Sequence, residues 1–230
     1  MSISENIAAI REKMAAAARE AGRAPGEILL VGASKMNDAA ACKAAIAAGI
    51  DALGENRVQE MTAKLSEDAY TGAPLHFIGH LQRNKVKQVV GKVDLIQSVG
   101  SLELLAEIEK TAAKLELVQN ILLEVNIGGE EAKSGFAPED VEAAARAALE
   151  CPHVCVQGLM TIPPADAAPE ENRAYFNKVR ALYVDINAKL FHNDFKYLSM
   201  GMSGDYEDAI RAGATMVRVG SAIFGARHYT

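Results

Sequence analysis

The sequence predicts an α/β protein, a single (β/α)8 TIM barrel preceded by one extra helix, and three observations carry that prediction. Short β-prone runs alternate with longer amphipathic stretches from residue 28 to the end of the chain. There are eight such runs, enough to close a parallel sheet on itself with its helices outside. The polar residues that are unusual for buried strands gather where the strands end, the rim on which a barrel carries its functional groups. A length of 230 residues suits one domain spanning 1–230. A doubly wound open sheet shares the alternation, and periodicity alone does not separate the two.

The extra helix comes first. Residues 3–21 are Ala-rich, with Ile7, Ile10, Met14 and Ala17 at helical spacing, and Gly22 and Pro25 close the segment. The first strand is the apolar run 28–34, followed by a helix over 38–48. The remaining strands are expected at 52–53, 76–78, 95–97, 120–125, 154–159, 197–199 and 216–219. Their helices are expected at 58–65, 84–90, 102–115, 138–149, 170–190 and 206–211, with only 222–226 after the last strand. The Pro/Ala-rich stretch 163–169 reads as a surface loop.

Bulk properties narrow the function. Half the residues are hydrophobic, 23% are charged and the formal net charge is −6, which argues against nucleic acid or an anionic membrane as partner. No apolar run approaches the ~20 residues that span a bilayer. The first residues carry Glu5 and lack a basic start before a compact apolar stretch, so no secretory signal is expected and the location is read as cytoplasmic. The three cysteines, Cys42, Cys151 and Cys155, do not form a disulfide framework by their number. Cys151 and Cys155 lack a second ligand pair at zinc-like spacing, and buried thiols are the simpler reading; no metal is expected.

Lys35 is the sharpest candidate. It ends the run Ile28-Leu29-Leu30-Val31-Gly32-Ala33-Ser34, where burying a cation is costly. Desolvation would lower its pKa and favour the neutral amine, the form that attacks a carbonyl. A lysine that only snorkels to the rim fits the same position. Two turns offer a phosphate site: Ser199-Met200-Gly201-Met202-Ser203-Gly204 before the helix 206–211, and Gly220-Ser221 after the last strand. Any β-to-α loop uses such residues, so each turn alone says little.

Arg218 alternates with Val217 and Val219, which points it into the barrel and the valines at the helices. It can pair with a barrel carboxylate such as Glu124, or donate to a ligand nitrogen and hold that nitrogen unprotonated. Asn56 suits either a ring oxygen of a ligand or the cap of the helix behind it. His80 reads as a loop polar group or a proton carrier.

These residues, taken together, resemble the pyridoxal phosphate homeostasis protein family, whose members are similar to the barrel half of bacterial alanine racemase. The shared segments are Val31-Gly32-Ala33-Ser34-Lys35, Gly54-Glu55-Asn56-Arg57-Val58-Gln59-Glu60 and His76-Phe77-Ile78-Gly79-His80-Leu81-Gln82-Arg83-Asn84-Lys85. They continue with Val125-Asn126-Ile127, Lys133-Ser134-Gly135, Gly158-Leu159-Met160-Thr161, 198–203 and 217–225. Leu75, Gly128 and Gly204 depart from the usual pattern, and none touches Lys35 or Arg218.

The resemblance implies a fold-type III site with pyridoxal 5′-phosphate (PLP) as Schiff base on Lys35. It places the phosphate at Ser199, Gly220 and Ser221, with Met200 and Gly201 in the same turn, Arg218 facing the pyridine nitrogen and Asn56 near the ring. It implies a carrier that hands PLP to apoenzymes and has no catalytic residues of its own. The alternative is a PLP-dependent amino acid racemase. Racemisation needs acid/base groups on both faces of the bound substrate. In alanine racemases a tyrosine of a second domain serves the other face, and this chain stops soon after its eighth strand. Tyr206 or Tyr229 would have to substitute. A monomeric carrier is the expectation, and a cofactor-free Schiff-base aldolase the remote third reading.

Overall fold

Side chains that alternate between two apolar environments turn these eight short runs into a closed wall. The computed structural model describes residues 2–130 and 133–225. Its strands are β1 (Leu29–Ala33), β2 (Ala52–Glu55), β3 (Leu75–Phe77), β4 (Leu95–Val99), β5 (Gln119–Val125), β6 (Val154–Thr161), β7 (Tyr197–Ser199) and β8 (Met216–Val219). All pair in parallel in sequence order, and β8 returns to β1 through Leu30↔Val217 and Val31↔Arg218. Closure decides between the two architectures the alternation allowed.

The outer layer consists of α1 (Ile3–Glu20), α2 (Ala39–Ala47), α3 (Val58–Leu65), α4 (Leu102–Lys114), α5 (Val141–Leu149), α6 (Pro169–Leu190), α7 (Tyr206–Arg211) and α8 (Ser221–Phe224). The extra helix, α1, starts with a reciprocal cap: the Ser2 hydroxyl accepts from Glu5 N, and Ser2 N donates to the Glu5 carboxylate at 2.7 Å. Its stripe of Ile7, Ile10, Met14 and Ala17 is buried, and it lies against α2, α7 and α8. Among the described residues, no helix is long and apolar enough to cross a membrane.

Two apolar layers result. Leu30, Leu53, Phe77, Ile96, Ile121, Leu123, Leu198, Val217 and Val219 belong to the core that also takes in the buried helix faces. Val31, Ala52, Leu95, Leu122, Met160 and Met216 form a separate plug inside the barrel. Above that plug the inward positions turn polar, and the rim begins.

Three expectations need correction. The helix expected at 84–90 is a 3-10 segment, Arg83–Gln88. Val86, Val89 and Val90 are stiff at χ1, and Gly91 reverses the chain at φ +76°, so no full α-turn sequence develops. The helix expected at 138–149 likewise opens as a 3-10 turn, Pro138–Asp140, before α5. Cys42 is buried, whereas Cys151 and Cys155 are only half-buried, at the solvent end where β6 begins. The last helix was expected to reach Ala226; that residue and Tyr229 lie outside the described residues.

Candidate functional site

The strand ends enclose a cavity of about 310 Å3 lined by Lys35, Asn37, Met202, Ser203, Gly204, Arg218, Gly220, Ser221 and Phe224, among others. Inward alternation along β1 carries Leu29, Val31 and Ala33 toward the barrel interior and delivers half-buried Lys35 at the mouth. The chain then reverses. Met36 takes φ +62°, a conformation a long side chain rarely adopts, and its N–H donates to Glu60 Oε2 at 2.8 Å. Asn37 Nδ2 donates to the Lys35 carbonyl at 3.0 Å, and Asp38 caps α2 through Ala41 N.

On β8, the strand paired with β1, Arg218 faces the same cavity and is 4% exposed. Its Nη1 donates to Ser199 Oγ at 2.5 Å and its Nη2 to the Thr161 carbonyl at 2.9 Å. The Ser199 hydroxyl donates to Gln97 Oε1 at 2.6 Å, which leaves the Gln97 amide nitrogen to donate to His76 Nδ1 at 2.9 Å. The donor direction is therefore consistent from Arg218 to a neutral His76 whose proton sits on Nε2. Burial pushes His76 down to about 4, against a smaller pull from Asp94. Burial also lowers Arg218 to about 10, against the fields of Glu124 and Asp205, so the guanidinium stays charged near neutrality.

The pairing with Glu124 that the sequence allowed for Arg218 is not made. Among the described residues the guanidinium bonds to Ser199 and Thr161, and Glu124 Oε2 instead accepts from Ser134 Oγ at 3.0 Å. Burial raises the Glu124 carboxyl, with Ser134, Arg218 and His80 acting the other way. Ser199 stands on the strand next to β8 and Thr161 on the one beyond it, both nearer to the guanidinium in the strand order than Glu124 on β5.

Of the eight expected residues, Lys35, Arg218, Gly220 and Ser221 share the cavity. A Cβ on Gly220 would meet the Ala33 carbonyl oxygen at 3.2 Å, so glycine lets the start of α8 press against β1. The Gly220 N–H donates to Ser203 Oγ at 3.3 Å, which ties the two turns together. Ser199 lies one layer deeper, its hydroxyl proton committed to Gln97. Met200 is fully buried, in the core shared with the helices. Gly201 takes φ +93° and lets α7 approach, since a Cβ there would lie 2.6 Å from Ala209 Cβ. Asn56 lines a second cavity with His80, Glu124 and Asn126, and its buried Oδ1 has no hydrogen-bond partner among the described residues. His80 is exposed on that same side.

Sequence reasoning misses one assembly entirely. Glu55 on β2 is fully buried on the helix-facing side of the wall, where its Oε1 accepts from Lys64 Nζ at 2.6 Å, Ser34 Oγ at 2.6 Å and Tyr70 OH at 3.0 Å. The available signal is Lys64 itself, a cation on the buried stripe of α3 with Val58 and Met61.

Comparison with known proteins adds the following. The family model "Alanine racemase, N-terminal domain" matches residues 4–228. A pyridoxal phosphate homeostasis protein of Aquifex aeolicus is 42% identical over 229 residues, covering 100% of both chains. A solved protein of Bifidobacterium adolescentis, described as unknown, is 37% identical at a TM-score of 0.91, covering 96% of this chain and 94% of that one. PipY of Synechococcus elongatus, solved with PLP bound, is 31% identical at a TM-score of 0.84, covering 97% and 100%.

Proposed function

The chain belongs to the pyridoxal phosphate homeostasis protein family, and from that premise we propose that it binds PLP in the rim cavity and holds it for cellular PLP homeostasis without substantial turnover. The observation that carries this reading is the convergence of Lys35, Arg218 and two Gly/Ser turns on one cavity. The residues suit the group. Ser203 and Ser221 bring hydroxyls to the cavity, and Gly220 leaves the backbone open where an anion can approach.

PLP, when bound, would supply an aldehyde, and Lys35 would be the amine that holds it as an imine, with water as the leaving group. Lys35 anchors. Ser203, Gly204, Gly220 and Ser221 receive the phosphate, with Ser199, Met200 and Gly201 building the floor of the first turn. Arg218, still charged and held by neutral acceptors, would be the donor for the ring nitrogen. A ring nitrogen that accepts from a cation would be the poorer electron sink, which favours a carrier over a catalyst. Among the residues lining this cavity, Lys35 is the one that can serve as a base. Tyr206 is 5% exposed, lines a different cavity, and its phenol is raised by burial. We extend the reading to a cytoplasmic monomer, one PLP-binding domain that passes PLP to apoenzymes.

The test is direct. Purified protein mixed with PLP should absorb in the near-visible, and borohydride should fix a pyridoxyl group on the peptide containing Lys35. Protein that takes up no PLP ends the proposal, and substantial turnover of alanine or serine enantiomers would replace it with the racemase reading.

A further inference from the structure

Two side chains of α3, one helical turn apart, grip the backbone on both sides of Lys35. Lys64 Nζ donates at 2.8 Å to the Ser34 carbonyl, part of the same peptide unit as the Lys35 nitrogen. Glu60 Oε2 accepts at 2.8 Å from Met36 N, the next residue along. Lys64 is in turn fixed by Glu55, which also holds the Ser34 hydroxyl. Neither Glu60 nor Lys64 lines the cavity, so whatever they do to Lys35 passes through the main chain.

A lysine side chain has four rotors, and the position of its amine is only as well defined as the Cα–Cβ direction it starts from. At Lys35 that direction is set where an extended strand passes straight into a left-handed residue. Met36 at φ +62° is costly for a methionine, and an acceptor on its N–H offsets part of the cost. Without that acceptor the turn can relax toward ordinary backbone angles, and the Lys35 side chain swings with it.

We propose that Glu60 and Lys64 are positioning residues that preset the Lys35 amine for condensation with the PLP aldehyde. This rests on the reading of Lys35 as the lysine that binds PLP. Misplacement of a reacting group by about 1 Å can cost on the order of 100-fold, so a loose turn should show first in the covalent step and later in overall binding.

The experiment compares wild type, Glu60→Ala, Glu60→Gln, Lys64→Met and Lys64→Arg at saturating PLP. Total bound PLP is measured by dialysis, and the covalent share by borohydride labelling of the Lys35 peptide. Glu60→Ala should lower the ratio of covalent to non-covalent PLP roughly tenfold, the loss expected for one charge-assisted hydrogen bond. Glu60→Gln retains an oxygen that can accept from Met36 N–H and should stay near wild type, a pattern that general destabilisation does not produce. Lys64→Met should lower the ratio further and Lys64→Arg restore part of it; if Lys64→Met does not fold, the Glu60 pair decides. A labelled wild type with an equal ratio in Glu60→Ala overturns the positioning role alone. A wild type that takes no label overturns the Lys35 reading, and this inference with it.

Discussion

Two buried polar clusters flank the β-wall near Lys35, one inside the barrel and one outside it. Outside, Lys64 meets Glu55 Oε1 at 2.6 Å, charge against charge, and Tyr70 and Ser34 donate to the same oxygen, while Oε2 has no hydrogen-bond partner among the described residues. Inside, the Arg218 guanidinium rests on a serine hydroxyl and a main-chain carbonyl, while Glu124 and Asp205 act on it only at longer range. Both clusters bury a cation. The outer one is compensated where it stands and serves as scaffold. The inner one keeps charge and donor capacity directed at the cavity, an expensive arrangement that a bound ligand acceptor relieves.

Substitutions can break that contrast, and the largest effect belongs to the group between the clusters. Lys35→Ala should abolish borohydride labelling while leaving weaker, phosphate-dependent PLP uptake by dialysis; complete loss of uptake would show that the two turns contribute little. Next comes the scaffold. Lys64→Met strands a buried carboxylate and should lower the unfolding free energy by about 3–5 kcal/mol in urea titrations. Converting Glu55 to Leu as well should recover most of it, and a double variant as weak as the single would contradict the ion-pair account.

Arg218→Met should act in the opposite manner. It should weaken PLP binding by roughly 10- to 100-fold with a smaller change in stability, as loss of a charged donor implies. A variant that binds normally would place the guanidinium with the scaffold after all.

The smallest effect is a pH dependence confined to the inner cluster. His76 titrates near 6.5 when unfolded and about 4 when folded, so the unfolded chain binds more protons between those values. Stability from this source is complete above pH 6.5 and is lost as pH falls toward 4, on the order of 1–2 kcal/mol by pH 5. His76→Gln keeps an acceptor for Gln97 and should flatten that part of the stability–pH curve. Glu124, raised by burial, contributes with the opposite sign in both proteins, so the difference between them isolates His76. Parallel curves would show that His76 is not held neutral.

Much of the molecule is legible in its sequence. The strands expected at 197–199 and 216–219 match β7 and β8 residue for residue, and the helix expected at 58–65 matches α3. The facing of Lys35 and Arg218 is legible because two-residue alternation is a local property: once a run reads as a strand, the side on which each residue stands follows. The same rule assigns Met200 outward and Ser199 inward, where the Ser199 hydroxyl donates to Gln97.

Tertiary closure alone decided the partners. Ser199 and Gln97 are 102 residues apart, and only the shear of a closed barrel brings one hydroxyl to one amide. Arg218 took Thr161 and Ser199 over Glu124 for the same reason, and Glu55 found Lys64 because α3 folds back over the strand end that precedes it. Sequence determined the barrel and the face on which its chemistry lies, since both follow from short-range periodicity. Which buried cation meets a carboxylate and which meets only neutral acceptors depends on distances between segments far apart in the chain, and those exist only once the wall has closed.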